Sequence, residues 1–173
     1  RSPSRPVAPA WWAGAFRRSE LVAHDVADLH VNGSVKVTLR KSKTDQDGAG
    51  MVKVIPALDD LSLDPVRALR GWLDAAGIKS GAVFRKISRW NVVCAGRLTS
   101  QSVALVVKAR AEAAGMDYRQ FSGHSLRSGF ITAAAGAGCE SRDIMSQTGH
   151  KSEAVMRGYI QDAGRGAAEA VRA

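Results

Sequence analysis

Cysteine and tyrosine are scarce in this chain of 173 residues, with two of each. Cys94 and Cys139 have no Cys or His neighbour at metal-ligand spacing. A disulfide framework and a zinc site are therefore not expected, and the pair reads as reduced thiols of a cytoplasmic protein. No apolar run approaches the roughly 18 residues of a membrane-crossing helix, so no membrane partner is expected. The opening Arg1-Ser2-Pro3-Ser4-Arg5-Pro6 lacks the apolar stretch of a secretory signal. Acidic residues are also few, 16 against 25 lysines and arginines, for a net charge of +9. That imbalance favours polyanionic partners, because neutralising phosphates releases condensed counterions. It says nothing about fold, and a solvated basic surface would look the same.

What is present organises into one domain of sufficient length to bury a core. Residues 1–10, with Pro3, Pro6 and Pro9, read as a tail, since proline is poorly tolerated inside a helix. A helical pattern is expected from Trp11 to about Asp28, with Trp12, Phe16, Leu21 and Val22 as its apolar side. Residues 29–57 alternate as strands: Val35, Val37 and Leu39 against Lys36, Thr38 and Arg40, then Met51-Val52-Lys53-Val54-Ile55-Pro56. Residues 43–48 lie between them as a hairpin-like connection. Asp64-Pro65 pairs an N-cap acid with proline at the first helical position. Val66, Leu69, Trp72 and Leu73 then repeat at helical spacing until Gly77. Residues 82–99 read as a short strand or a loop. Ser100 is expected to cap a helix running to Gly115, with Val103, Leu105, Val106 and Val107 among its apolar positions. Short helices rich in alanine and glycine follow Phe121 and end near Gln161. The expected class is α+β, mainly helical, with a small antiparallel sheet near the N-terminus.

Four islands carry residues suited to phosphoryl chemistry. Arg17 lies in Phe16-Arg17-Arg18-Ser19-Glu20-Leu21, with Glu20 three residues on and on the same helix face. Taken singly, this is as readily a solvated surface pair. Lys43 sits in the hairpin segment, with Lys41 two residues away. His124 and Arg127 fall in Gly123-His124-Ser125-Leu126-Arg127, a spacing that places both on one helix face. Near a helix start they would share its positive field, which suits an anion. His150 follows Gly149, and Tyr159 comes nine residues later. A continuous helix would set those two on opposite sides, so a loop at Gly149–Ser152 must redirect the chain if both serve one site. A lone tyrosine is otherwise most often a half-buried aromatic.

Together, Arg17-Arg18-Ser19-Glu20-Leu21, His124-x-x-Arg127, and Gly149-His150 with Tyr159 nine residues on resemble the signature of the tyrosine recombinases, the phage integrase family. The order, the internal spacings and the long gap before the histidine island all agree, over residues 11–161.

The resemblance implies a tyrosine recombinase catalytic domain acting on double-stranded DNA. Tyr159 would be the nucleophile, leaving a 3′-phosphotyrosyl link and a free 5′-hydroxyl. Arg17 and Arg127 would hold the nonbridging phosphate oxygens, and His150 would add a hydrogen bond to them. His124 would take or hold the tyrosine proton. Glu20 would support Arg17 or His124, and Lys43, with Lys41 as competitor, would protonate the leaving oxygen. No cofactor or metal is implied. The family works as a homotetramer on paired sites, and its members carry a further N-terminal core-binding domain, which nothing in residues 1–10 could supply. Residues 162–173 correspond to the segment through which relatives dock on a neighbouring protomer, but for an isolated domain they read first as a frayed terminus. Two alternatives share parts of this pattern. A type IB topoisomerase-like nicking-closing enzyme has the nucleophile and arginines, but usually places lysine where His124 stands. A DNA-binding remnant would have lost a catalytic residue.

Overall fold

The computed structural model describes residues 8–40 and 50–158. Two short helices open it, α1 (Ala8–Ala13) and α2 (Arg18–Ala23). The single helix expected from Trp11 to Asp28 is thus broken, and its first turn begins inside the segment read as a tail. The break has local causes. Ala15 takes a left-handed φ of 46°, and a Cβ at Gly14 would collide with the Phe16 ring. The left-handed Ala15 cannot continue a right-handed helix, and the Phe16 ring folds back onto the open face of Gly14. Arg17 then sits extended as the N-cap of α2. Pro9 falls in the first turn of α1, where a missing backbone N–H costs nothing.

A three-residue 3-10 turn (Val26–Asp28) leads into an antiparallel sheet of β1 (Leu29–Asn32), β2 (Ser34–Leu39) and β3 (Met51–Pro56), in that order. Its register pairs Val37 with Lys53 and Val35 with Ile55. Val35, Val37 and Leu39 are buried, as their alternation predicted. On β3 the inward face is Met51, Lys53 and Ile55, while Val52 and Val54 point to solvent.

Helix α3 (Pro65–Ala75) starts where Asp64-Pro65 predicted, the Asp64 carboxylate accepting from Val66 N and Arg67 N. It buries Val66, Leu69 and Trp72, whose indole N–H donates to Val83 O at 2.8 Å. Residues 82–99 resolve into a two-stranded ribbon, β4 (Arg85–Ile87) and β5 (Val93–Arg97). Thr99, rather than Ser100, caps α4 (Ser100–Ala113), its hydroxyl accepting from Ser102 N. Val103 and Val107 face the core, whereas Leu105 is exposed. The chain continues through α5 (Ser125–Gly136) and α6 (Ser141–Thr148), and residues 153–158 are helical again.

The main core joins α1 to α4 and the sheet, with Trp11 edge-on to Phe84 at its centre. Trp12, expected inside, is instead 38% exposed and lies against Phe130, because α1 ends at Ala13 and turns Trp11 inward. A second small core of Ile131, Ile144 and Met156 binds α5, α6 and the 153–158 helix together. Among the described residues no helix is long and apolar enough to cross a membrane.

Candidate active site

The turn between α1 and α2 organises the site. Arg17 ends that turn, and its backbone N–H donates to Glu20 Oε2 at 3.0 Å. Its guanidinium Nη1 donates to Glu20 Oε1 at 2.6 Å. Glu20 is buried. Burial alone would raise its carboxyl, but the backbone and side-chain hydrogen bonds from Arg17 and the nearby charge of Lys53 hold it below the usual range. Glu20 therefore stays ionised and keeps the Arg17 head in one direction. It supports Arg17, the first of the two partners expected for it.

Arg127, on the third residue of α5, is only 2% exposed. Its Nη1 donates to Ala15 O at 2.8 Å, and its Nη2 lies 3.2 Å from His150 Nε2. The Ala15 carbonyl is thus where the first and third islands meet, 112 residues apart in sequence. His150 follows the left-handed Gly149 that ends α6, the loop expected to redirect the chain. The Thr148 hydroxyl donates to Ile144 O at 2.7 Å and so spends its single proton there. It must then accept from His150 Nδ1–H at 2.8 Å, which leaves Nε2 as a lone pair facing the Arg127 guanidinium. Burial first, then the charges of Arg127, Arg17 and Lys53, depress His150 to about 4, so the neutral ring is the stable one.

His124 is the N-cap of α5 and is exposed. Burial, then Arg18, Arg127 and Arg17, lower its pKa, which keeps its ring able to accept a proton near neutrality. Arg17 and Arg127 therefore both act on His124 and on His150. Arg17, Glu20, His124, Arg127 and His150 gather in one place. Lys43, its competitor Lys41, and Tyr159 lie outside the described residues.

Two participants escaped the sequence reading. Thr148 is fully buried and orients His150. Lys53, 1% exposed on β3, donates to Gly14 O at 2.9 Å and Ala15 O at 3.3 Å, with its ammonium 4.7 Å from the centre of the Phe16 ring. Burial, against the pull of Glu20 and with the push of Arg127 and Arg17, lowers it to about 7. The clue was available in the strand alternation, which puts Lys53 on the face of Met51 and Ile55. Among the described residues no cluster of three or more His, Cys, Asp or Glu could hold a metal ion.

Two guanidiniums, one buried and one clamped by a carboxylate, with two neutral imidazoles beside them, are donor groups of the kind that can receive a tetrahedral oxyanion, here on a mainly helical domain. The comparisons with known proteins agree with that class. The phage integrase family matches residues 10–165, and the chain belongs to it. An integrase/recombinase XerD homolog of Selenomonas ruminantium is 44% identical over 151 residues, covering 87% of this chain and 44% of that protein. The tyrosine recombinase XerC of Pelotomaculum thermopropionicum is 27% identical, covering 84% of this chain and 45% of that protein. The chain thus spans less than half the length of these curated relatives. Among solved structures, the XerA recombinase superposes with a TM-score of 0.70 at 21% identity, over 92% of this chain and 52% of that one. The XerH site-specific recombinase bound to palindromic difH substrate gives 0.67 at 17% identity, over 96% of this chain and 44% of that one. The fold is that of the tyrosine recombinase catalytic domain.

Proposed function

We propose that this chain is the catalytic part of a site-specific recombinase or integrase that cuts and rejoins duplex DNA through a 3′-phosphotyrosyl intermediate. The observation that carries the reading is that Arg127 bonds Ala15 O, two residues before Arg17, and His150 Nε2 at once, while the charges of both arginines act on His150, from three separated stretches of sequence. Membership of the phage integrase family and the net charge of +9 support DNA as the partner.

In this reading the scissile phosphate lies against the guanidiniums of Arg17 and Arg127. Tyr159 Oη attacks phosphorus, forming the Oη–P bond as the bond from phosphorus to the 5′-oxygen breaks. His124 takes the tyrosine proton, and Lys43 gives one to the departing 5′-oxygen. The covalent link keeps the energy of the broken ester, so the reverse attack by a 5′-hydroxyl reseals DNA without ATP. With Nδ1 held by Thr148 and Nε2 turned to Arg127, His150 serves first to orient that guanidinium. The complete reaction is assigned to a homotetramer on two DNA sites, with an N-terminal core-binding domain contributing to the grip on DNA.

The test is covalent trapping on nicked suicide DNA from the flanks of the gene, comparing wild type with Tyr159→Phe on a denaturing gel. An adduct in wild type alone is expected, with DNA affinity nearly unchanged in the variant. Undiminished adduct in Tyr159→Phe would remove the tyrosine from the mechanism.

A further inference from the structure

Among the described residues Lys53 is the one buried cation that the catalytic reading leaves unused, and it is held by the same turn that builds the site. It is 1% exposed and its protons are directed at backbone carbonyls, so it is not assigned as the proton donor to a leaving group. Its ammonium instead reaches from β3 across to Gly14 O and Ala15 O. Those carbonyls belong to the turn with the left-handed Ala15, and Arg17 begins the helix two residues beyond it. The Ala15 carbonyl accepts from Lys53 and from Arg127 together, filling both its lone pairs. The Phe16 ring closes the other side of the ammonium.

We propose that Lys53 is a positioning residue for the arginine pair: by fixing the Gly14 and Ala15 carbonyls it aims Arg17 and Arg127 at one phosphate. The proposal rests on the recombinase reading for its chemistry, but its geometry is independent of it. A buried lysine chosen only for stability could bond any carbonyl. This one bonds the carbonyl that also sets the Arg127 fork. Removing the ammonium leaves Ala15 O with a single donor and the turn free to relax, so both guanidiniums lose their common reference. It also removes a positive charge that acts on His150 and on Glu20.

The experiment compares Lys53→Met, which keeps length and apolar bulk, with Lys53→Arg, which keeps charge and donors. Each is assayed at a temperature where circular dichroism shows it folded. Lys53→Gln replaces the methionine variant under the same criteria if that one does not fold. Three quantities are read: the single-turnover rate of the covalent adduct at saturating DNA, the DNA dissociation constant, and the His150 imidazole titration by NMR without DNA. Lys53→Met is expected to slow adduct formation by about tenfold or more while binding DNA within about threefold of wild type. The His150 midpoint should rise in Lys53→Met and stay near wild type in Lys53→Arg. A slowing of less than about tenfold, or an unmoved His150 midpoint, overturns the proposal. Because the titration needs no DNA, it decides the arrangement even if wild type forms no adduct, the outcome that would sink the recombinase reading instead.

Discussion

Arg127 and Lys53 head the fully buried side chains by volume, and burying two cations is costly unless their protons find acceptors. The acceptors are backbone carbonyls of one strained turn, and the charge of the Glu20 carboxylate close by offsets that of Lys53. Such an arrangement is better explained by an anion that arrives later than by stability, since a hydrophobic pair would pack there at less cost. A guanidinium aimed in advance needs no reorganisation when charge develops on phosphate. Arg127→Ala is therefore expected to lower single-turnover cleavage by about 10²–10³-fold or more. Arg127→Lys should remain well below wild type too, since a point charge cannot reproduce the planar fork. A loss of less than about tenfold in the alanine variant would take Arg127 out of the transition-state role. Arg17 with Glu20 and His124 with Arg127 were readable as neighbours because helical spacing is local. Lys53 was not, because its partners lie 38 and 39 residues away in a turn that only tertiary packing brings near β3.

At the level of elements, the ends matter more than the middles. Helix α2 has six residues, too short to be stable alone, and is held by its Arg17–Glu20 cap and by packing on α4. Arg97, from β5, ties the ribbon to the far end of α2 by donating to Val22 O at 2.7 Å and His24 O at 3.1 Å. Gly149 ends α6 with a φ of 70°, a conformation that costs an L-residue roughly 1–2 kcal/mol, and so turns His150 back toward Arg127. Met156 then locks the next helix onto Ile131 and Ile144. The clearest cap is Asp64, whose carboxylate takes two orphan amides of α3. Asp64→Ala is expected to cost about 1 kcal/mol and lower the thermal midpoint by roughly 2–4 °C, measured by calorimetry. An unchanged midpoint would mean that water serves those amides equally well. Asp64-Pro65 was legible because capping is a property of adjacent residues. The break at Gly14–Ala15 was not, because Trp11 to Asp28 carries helical periodicity on both sides of it, and a left-handed alanine leaves no mark in that periodicity.

Taken as a whole, the domain holds three imidazoles neutral at or near its site, His124 and two that are depressed further. His24, 4% exposed and edge-on to Phe16, is pushed by burial to about 4, and its Nε2 has no hydrogen-bond partner among the described residues. His150 is likewise depressed to about 4. In the unfolded chain both take up protons near 6.5. Between those values the unfolded state binds more protons, so stability falls as pH drops from about 6.5 toward about 4. Glu20 acts in the same direction but lower: its contribution is present above its unfolded value of 4.5 and is lost as pH falls through the depressed folded one. Thermal midpoints from pH 6.5 to 4.5 should therefore decline, with a shallower slope in His24→Gln; a flat profile over that window would mean that neither ring is buried neutral.

By itself the sequence determined the family, the basic charge, the strand alternation of β2, the start of α3, and the local groupings of Arg17 with Glu20 and of His124 with Arg127. These follow from spacing, capping and composition, which act over a few residues. Tertiary structure alone decided that Ala15 O would be shared by Lys53 and Arg127, that Trp11 rather than Trp12 would enter the core, and that the Arg127 fork would meet the His150 ring. Those outcomes depend on which distant carbonyl or ring a side chain meets once the core closes, and no local periodicity carries that information.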